Sequence, residues 1–169
     1  MPPKPRRRVS LLVAAAWALA LLADAPSHAA ELLPPHEAFA LSARAIDPQT
    51  LEVRFDVVDG YYLYRDKLKF NAGAPQPVAT TAELPPGKVK HDGFFGDMQT
   101  YRGHVDIRIP MAAPEGGRQL TLVTESQGCA DAGICYPPQR QILSLAVPAA
   151  GEPPSPWVVA PVGRPAWLK

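Results

Sequence analysis

Leu51-Glu52-Val53-Arg54-Phe55-Asp56-Val57 places apolar side chains at every second position and charged ones between them. Successive side chains of an extended chain point to opposite faces, so this run reads as a strand with one face in a core and the other in water. The same period recurs at His104-Val105-Asp106-Ile107-Arg108-Ile109, at Leu120-Thr121-Leu122-Val123-Thr124 and at Gln141-Ile142-Leu143-Ser144-Leu145-Ala146-Val147. Asp59-Gly60, Pro85-Pro86-Gly87 and Pro114-Glu115-Gly116-Gly117 supply turn chemistry between the runs. No convincing helical stripe and no internal repeat interrupts them. Short half-buried strands at this spacing predict an all-β fold, an immunoglobulin-like antiparallel β-sandwich.

Working outward, both ends of the 169-residue chain differ in composition from this centre. Lys4, Arg6, Arg7 and Arg8 precede an apolar run from Leu11 to Ala23, and small residues follow at Ser27 and Ala29. That is the layout of a secretory signal peptide over residues 1–29. A run of about 13 apolar residues is short of the roughly 20 that span a bilayer, and Asp24 and Pro26 follow at once. The expected mature protein is therefore exported from the cytoplasm. Its charge also changes: the whole chain carries +1, but without residues 1–29 there are 13 Lys and Arg against 15 Asp and Glu. A mildly acidic domain has no electrostatic support for a nucleic-acid partner. From Pro148 to Lys169, six of 22 residues are proline, which reads as an extended tail or linker. Residues 30–147 remain as one domain of ordinary size.

The chemically informative stretch is Gly128-Cys129-Ala130-Asp131-Ala132-Gly133-Ile134-Cys135-Tyr136-Pro137-Pro138, which holds both cysteines of the chain. Nearby thiols in an oxidising compartment usually pair. A structural staple is one reading. Closing a ring of about seven residues restricts the unfolded chain by only about 2.4 kcal/mol, against nearly 5 for a loop of about 100 residues. A bridge so local also joins no distant strands. The other reading is a pair that cycles between dithiol and disulfide through mixed disulfides with a partner thiol. Gly128 and Gly133 would give the turn backbone freedom, while Pro137 and Pro138 stiffen its exit. No Cys-x-x-Cys opens a helix, so any redox chemistry is not presented on a thioredoxin fold. Spacing alone leaves both readings open, and a non-enzymatic envelope binding module or a thiol metallochaperone stand as alternatives.

This cysteine segment resembles the active-site segment of the N-terminal periplasmic domain of the DsbD family of thiol:disulfide interchange proteins. Two further segments match it in the same order: Asp59-Gly60-Tyr61-Tyr62-Leu63-Tyr64-Arg65, and Asp92-Gly93-Phe94-Phe95-Gly96 followed by Tyr101-Arg102. The resemblance implies an immunoglobulin-like thiol-disulfide oxidoreductase of the protein-disulfide reductase type, with Cys129 and Cys135 as its redox-active pair and no other cofactor. It implies a thioredoxin-like electron donor domain fed by a membrane reductase. The implied acceptors are a periplasmic disulfide isomerase and thioredoxin-like proteins of cytochrome c maturation.

Cys135 inherits the partner-facing role and Cys129 the resolving one. Asp92 to Gly96 match a cap loop, whose covering ring corresponds to Phe94, with Phe95 beside it. The family commonly has a second acidic residue after the aspartate, where this chain has Gly93. Tyr62 and Tyr64 match aromatic positions beside the active site, and strand alternation puts them on one face. The resemblance covers roughly residues 31–147. In the full-length family this domain is followed by membrane spans and a thioredoxin-like domain, so either a separate chain supplies the electrons or this sequence is a piece of a longer one.

Other chemistry finds little footing. Asp131, like Asp92, would raise a neighbouring thiol's pKa and so slow it, and is assigned no catalytic step. His28, His36, His91 and His104 share no ligand spacing, so no metal site is expected. Neither a phosphate-binding glycine loop nor a serine-nucleophile motif is present.

Overall fold

The computed structural model describes residues 32–161 apart from residue 75, residue 94 and residues 113–118, and describes Asp92 by its backbone alone. The expected leader, Phe94 and the expected turn at residues 114–117 therefore lie outside the described residues. Every alternating run read from the sequence is a strand. In chain order these are β1 (Phe39–Asp47), β2 (Thr50–Val57), β3 (Tyr61–Tyr64), β4 (Lys69–Gly73), β5 (Val78–Thr80), β6 (Lys88–Asp92), β7 (Gly96–Tyr101), β8 (Gly103–Pro110), β9 (Gln119–Ser126), β10 (Gly128–Ala130), β11 (Gln139–Ala146) and β12 (Val158–Val159). The described helical structure is a single turn at Pro35–Ala38 and a 3-10 turn at Arg65–Lys67.

The strands form antiparallel sheets in the orders β12-β1-β2-β8, β11-β9-β4-β5 and β10-β3-β7-β6. The first two supply the core. Leu41, Ala43, Ala45, Leu51, Val53, Phe55, Val105, Ile107 and Ile109 are buried on one, and Leu120, Leu122, Leu143 and Leu145 on the other. Burying each large side chain of this kind contributes about 1.5–3 kcal/mol, which is what fixes the register of strands with one wet face. The expected sandwich is the observed one.

The third sheet is short and carries the site. β3 follows β2 after the Asp59-Gly60 turn, and β10 follows β9 after Gln127 alone. The Tyr64 amide donates to the Gln127 carbonyl at 3.0 Å, continuing the ladder past β10. Phe39 pairs with Val57, and Ser126 with Gln139, so β1, β2, β9 and β11 all have an end here. Strand ends from both core sheets thus converge where β10 and β3 pair.

On the wet face of the first sheet the charges between the apolar residues meet across strands. Glu52 stands opposite Arg108, Arg54 opposite Asp106 and Asp56 opposite His104. Arg54 Nε donates to Asp106 at 2.8 Å, and Arg44 reaches Glu52 at 2.6 Å. Exposed pairs of this kind add little stability, but a slip by two residues, which would keep the apolar face inward, would set Glu52 opposite Asp106 or Arg54 opposite Arg108, so they specify register. The hydrogen bond to Asp56 at 2.7 Å raises the His104 pKa above its ordinary value, with a further contact to Asp106 at 3.2 Å. A raised folded-state pKa means the contribution is fully present below about pH 6.5 and is lost as pH rises through the raised value. An NMR titration is expected to put the His104 midpoint above that of an unstructured histidine, and Asp56→Asn to bring it down. A midpoint unmoved by Asp56→Asn would refute the assignment.

The proline-rich segment expected to be an extended tail or linker is described as far as residue 161; it turns at residues 149–152, where the Glu152 amide donates to the Ala149 carbonyl at 3.0 Å, and part of it is docked. Ser155 exchanges hydrogen bonds with Ala45, its amide donating to the Ala45 carbonyl at 2.9 Å and its Oγ accepting from the Ala45 amide at 3.0 Å. β12 then pairs with Ser42 and Ala43, and the Trp157 ring lies under the guanidinium groups of Arg44 and Arg54 at 4.5 and 4.4 Å. Prolines 153, 154 and 156 do not prevent this, because an edge strand needs donors only on the side facing its partner.

Candidate active site

Cys129 and Cys135 form a disulfide, with their Cα atoms 3.9 Å apart. Cys129 is the central residue of β10 and stands opposite Tyr62 of β3, with Gly128 opposite Leu63 and Ala130 opposite Tyr61. The chain reverses through Asp131–Ile134. The Ala130 amide donates to the Ile134 carbonyl at 2.8 Å and the Tyr136 amide to the Gly128 carbonyl at 2.9 Å, bracketing the two cysteines in a narrow hairpin.

The two glycines of this segment do different things. Gly133 has φ +85°, a left-handed turn position with open space around it. Gly128 lies in a strand and its need is for room: a Cβ there would meet the Tyr62 carbonyl oxygen and come within 2.7 Å of Phe39 Cζ. At Gly128, then, close packing takes the place of the turn freedom expected of both glycines.

The two sulfurs are unequally placed. Cys129 is fully buried, whereas Cys135 is half-buried and is followed by the half-buried Tyr136 and exposed Pro137 and Pro138. Cys129 packs with Tyr62 and Tyr64, and Met98 and Cys135 close the cluster. The Tyr62 and Tyr64 rings meet edge to face at 5.5 Å, as expected for alternate residues on one face of a strand. The Tyr64 hydroxyl lies 3.2 Å from Cys129 Sγ and 3.9 Å from Cys135 Sγ. A disulfide sulfur carries no proton, so the phenol donates and sulfur accepts. Met98 was not singled out from the sequence, although its place in β7 beside β3 brings it to the cluster.

From the segment expected to form a cap, Phe95 packs edge-on against Tyr64 at 5.4 Å and is 42% exposed. Phe94, the ring expected to cover the disulfide, and the Asp92 side chain lie outside the description; the Asp92 backbone ends β6 opposite Gly96. Cations rim the aromatic cluster. Lys67 Nζ sits 4.4 Å from the centre of the Phe95 ring, while Lys90 Nζ and the Arg102 guanidinium lie 4.9 and 5.1 Å from that of Tyr62. Arg102 also forks onto Asp131, and this hydrogen-bonded pair holds the Asp131 carboxyl below its ordinary pKa.

Behind the hairpin, Phe39 meets Tyr61 and Tyr136 edge-on at 6.0 and 5.5 Å. Tyr136 Oη donates to the Leu33 carbonyl at 2.6 Å, and the Leu33 amide donates to Tyr61 Oη at 2.9 Å. Burial, then the neighbouring Tyr61, pushes the Tyr136 pKa up to about 12, so its proton stays in place at physiological pH. These rings form a fixed floor under β10. Among the described residues no cluster of three or more His, Cys, Asp or Glu is arranged to hold a metal ion. No described helix is long and apolar enough to cross a membrane.

Residues 29–147 match the family described as the N-terminal domain of the thiol:disulfide interchange protein DsbD. The chain is 42% identical over 153 residues to DsbD of Ralstonia nicotianae, a match that covers 90% of this chain and 25% of that protein. It is 41% identical over 115 residues to DsbD 2 of Pseudomonas aeruginosa, covering 68% of this chain and 18% of the relative. The chain thus spans about a quarter or less of the length of these relatives. Among solved structures, the reduced form of the Neisseria meningitidis DsbD N-terminal domain superposes with a TM-score of 0.65 at 29% identity, over 77% of this chain and 96% of that one. The complex of the Neisseria meningitidis DsbD and PilB N-terminal domains gives a TM-score of 0.57 at 32% identity, over 68% of this chain and 87% of that one. With the matched residues spanning both cysteines and the strands that carry them, the chain belongs to the DsbD N-terminal domain family.

Proposed function

We propose that this domain is a periplasmic thiol-disulfide oxidoreductase of the protein-disulfide reductase type, which passes electrons to partner proteins through reversible opening of the Cys129–Cys135 disulfide. The observation that carries this reading is the unequal burial of the two sulfurs, Cys129 enclosed and Cys135 reachable from solvent. In the reduced domain the Cys135 thiolate attacks a sulfur of the partner's disulfide. A Cys135–partner bond forms, the partner's own S–S bond breaks, and its second sulfur leaves as a thiolate. The Cys129 thiolate then attacks Cys135 Sγ, closing the Cys129–Cys135 bond and releasing the partner's first sulfur. Two electrons pass to the partner, and the protons lost from the two thiols are made up on the partner through solvent.

Tyr64 supports the closing step. Its hydroxyl, already 3.2 Å from Cys129 Sγ, makes a stronger hydrogen bond when that sulfur carries charge. Phe95, Tyr62 and any ring at Phe94 would limit access of small oxidants to the reduced pair, and movement of the Gly93–Gly96 segment would admit a partner. The donor is a thioredoxin-like domain fed by a membrane reductase, and the acceptors are thioredoxin-like proteins of disulfide isomerisation or cytochrome c maturation. A partner of that kind fits the neighbour solved as a complex with the PilB N-terminal domain. In this reading the domain proper is residues 30–147, exported by the leader at residues 1–29.

A redox titration against glutathione tests the chemistry apart from any protein partner. The expected midpoint lies well above about −300 mV, in the range of exchanging disulfides. A midpoint far below that value would make the bridge a staple and overturn the proposal.

A further inference from the structure

The turn between the cysteines is exposed at Asp131, Ala132, Gly133 and Ile134, so packing does little to hold it. Its backbone is pinned by the Gly133 amide on the Ala130 carbonyl at 3.0 Å and by the Asp131 amide on the Gly60 carbonyl at 2.7 Å. A side chain from elsewhere in the fold completes the attachment. Arg102 is the one-residue link between β7 and β8. Its Nη1 donates to Asp131 Oδ2 at 2.8 Å and its Nη2 to Oδ1 at 2.5 Å. The same Nη1 donates to the Tyr61 carbonyl at 3.1 Å, and the guanidinium lies over the Tyr62 ring. Exposed ion pairs are commonly weak because long side chains must be ordered to make them, and bidentate geometry is the exception. Here the guanidinium is ordered by the β3 backbone and a β3 ring, next to the strand that holds Cys129.

We propose that Arg102 is a positioning residue for exchange, which through Asp131 keeps the turn closed so that Cys135 stays within reach of Cys129 while the disulfide is open. This inference rests on the exchange reading above. In the oxidised domain the S–S bond holds the ring shut by itself. After Cys135 has been captured by a partner, that restraint is gone, and the rate at which Cys129 attacks Cys135 Sγ depends on how much of the time the turn holds the two sulfurs together. The bond formed is Cys129–Cys135, the bond broken is Cys135–partner, and the partner sulfur leaves as a thiolate. Lysine cannot fill the role in full, since one ammonium cannot fork onto a carboxylate and stack on a ring as a guanidinium does.

The test uses the whole reduced protein and one equivalent of 5,5′-dithiobis(2-nitrobenzoate). Attack by Cys135 releases a first thionitrobenzoate, and ring closure by Cys129 releases a second, so the two steps are read as separate phases. In Arg102→Ala and in Asp131→Asn the second phase is expected to slow about tenfold, while the first stays within about twofold of wild type. The double variant should close no more slowly than either single one, because both remove the same attachment. Arg102→Lys should fall between. A tenfold loss of closure at equilibrium corresponds to a redox midpoint about 30 mV less negative. A second phase at the wild-type rate in either single variant, effects that multiply in the double variant, or equal slowing of both phases would overturn the proposal. Asp131→Asn alters an exposed side chain on a turn, so the test survives even if Arg102→Ala lowers stability. Because the probe is a small aromatic disulfide, the result does not depend on a protein partner. Failure of the exchange reading would show instead as a wild-type protein that closes its ring but reduces no partner.

Discussion

Cys135→Ser is expected to remove exchange with every protein partner, lowering the rate by at least about a hundredfold, because a serine hydroxyl with no adjacent base is not a nucleophile at neutral pH. Cys129→Ser is expected to behave differently. The first attack still proceeds from Cys135, but nothing can displace the partner, so a mixed disulfide accumulates at Cys135. The asymmetry follows from enclosure: Cys129 has no exposed surface and is walled by Tyr62, Tyr64 and Met98, whereas Cys135 opens to solvent beside Ile134. A thiolate must approach the sulfur it attacks closely, and a partner protein can do so only at Cys135. Non-reducing electrophoresis of extracts, followed by mass spectrometry of the trapped species, reads both outcomes. Full exchange activity in Cys129→Ser, or trapping at Cys129 in Cys135→Ser, would reverse the assignment of roles.

Much of the architecture could be read from the sequence because the deciding signal is local. Alternation over Leu51–Val57 is a property of seven consecutive residues, and burial of one face of β2 enforces it. The joining of Tyr62 and Tyr64 is legible for the same reason, since both lie on one strand. What the sequence could not give is the set of contacts made across the fold. Arg102 and Asp131 are 29 residues apart, and nothing in either neighbourhood says that the link between β7 and β8 reaches the cysteine turn. The proline-rich C-terminal segment misleads in another way: its composition argues against secondary structure, but docking along β1 asks only for donors that face β1, and Ser155 and Ala160 each supply one. Glycine is ambiguous by nature, because one letter stands both for left-handed backbone and for the absence of a side chain.

That ambiguity gives the second large effect. Gly128→Ala is expected to lower the unfolding free energy by about 1–3 kcal/mol and to slow exchange more than tenfold, while Gly133→Ala costs about 1–2 kcal/mol and leaves exchange within a few-fold of wild type. At Gly133 the substitution meets no neighbouring atom, so the penalty is that of an L-residue held at φ +85°. At Gly128 the new methyl meets the Tyr62 carbonyl, which is backbone and cannot swing aside, and the Phe39 ring, which Tyr61 and Tyr136 hold edge-on. The clash is relieved by parting β10 from β3, and β10 carries Cys129 opposite Tyr62. Cys129 Sγ would then leave the Tyr64 hydroxyl, and the closing step would lose both its hydrogen bond and its alignment. The measurements are denaturant unfolding and the two-phase thiol assay on each variant. If Gly128→Ala and Gly133→Ala slowed ring closure equally, the tight β10–β3 contact would not be what positions Cys129, and the buried cysteine would owe its reactivity to the turn alone.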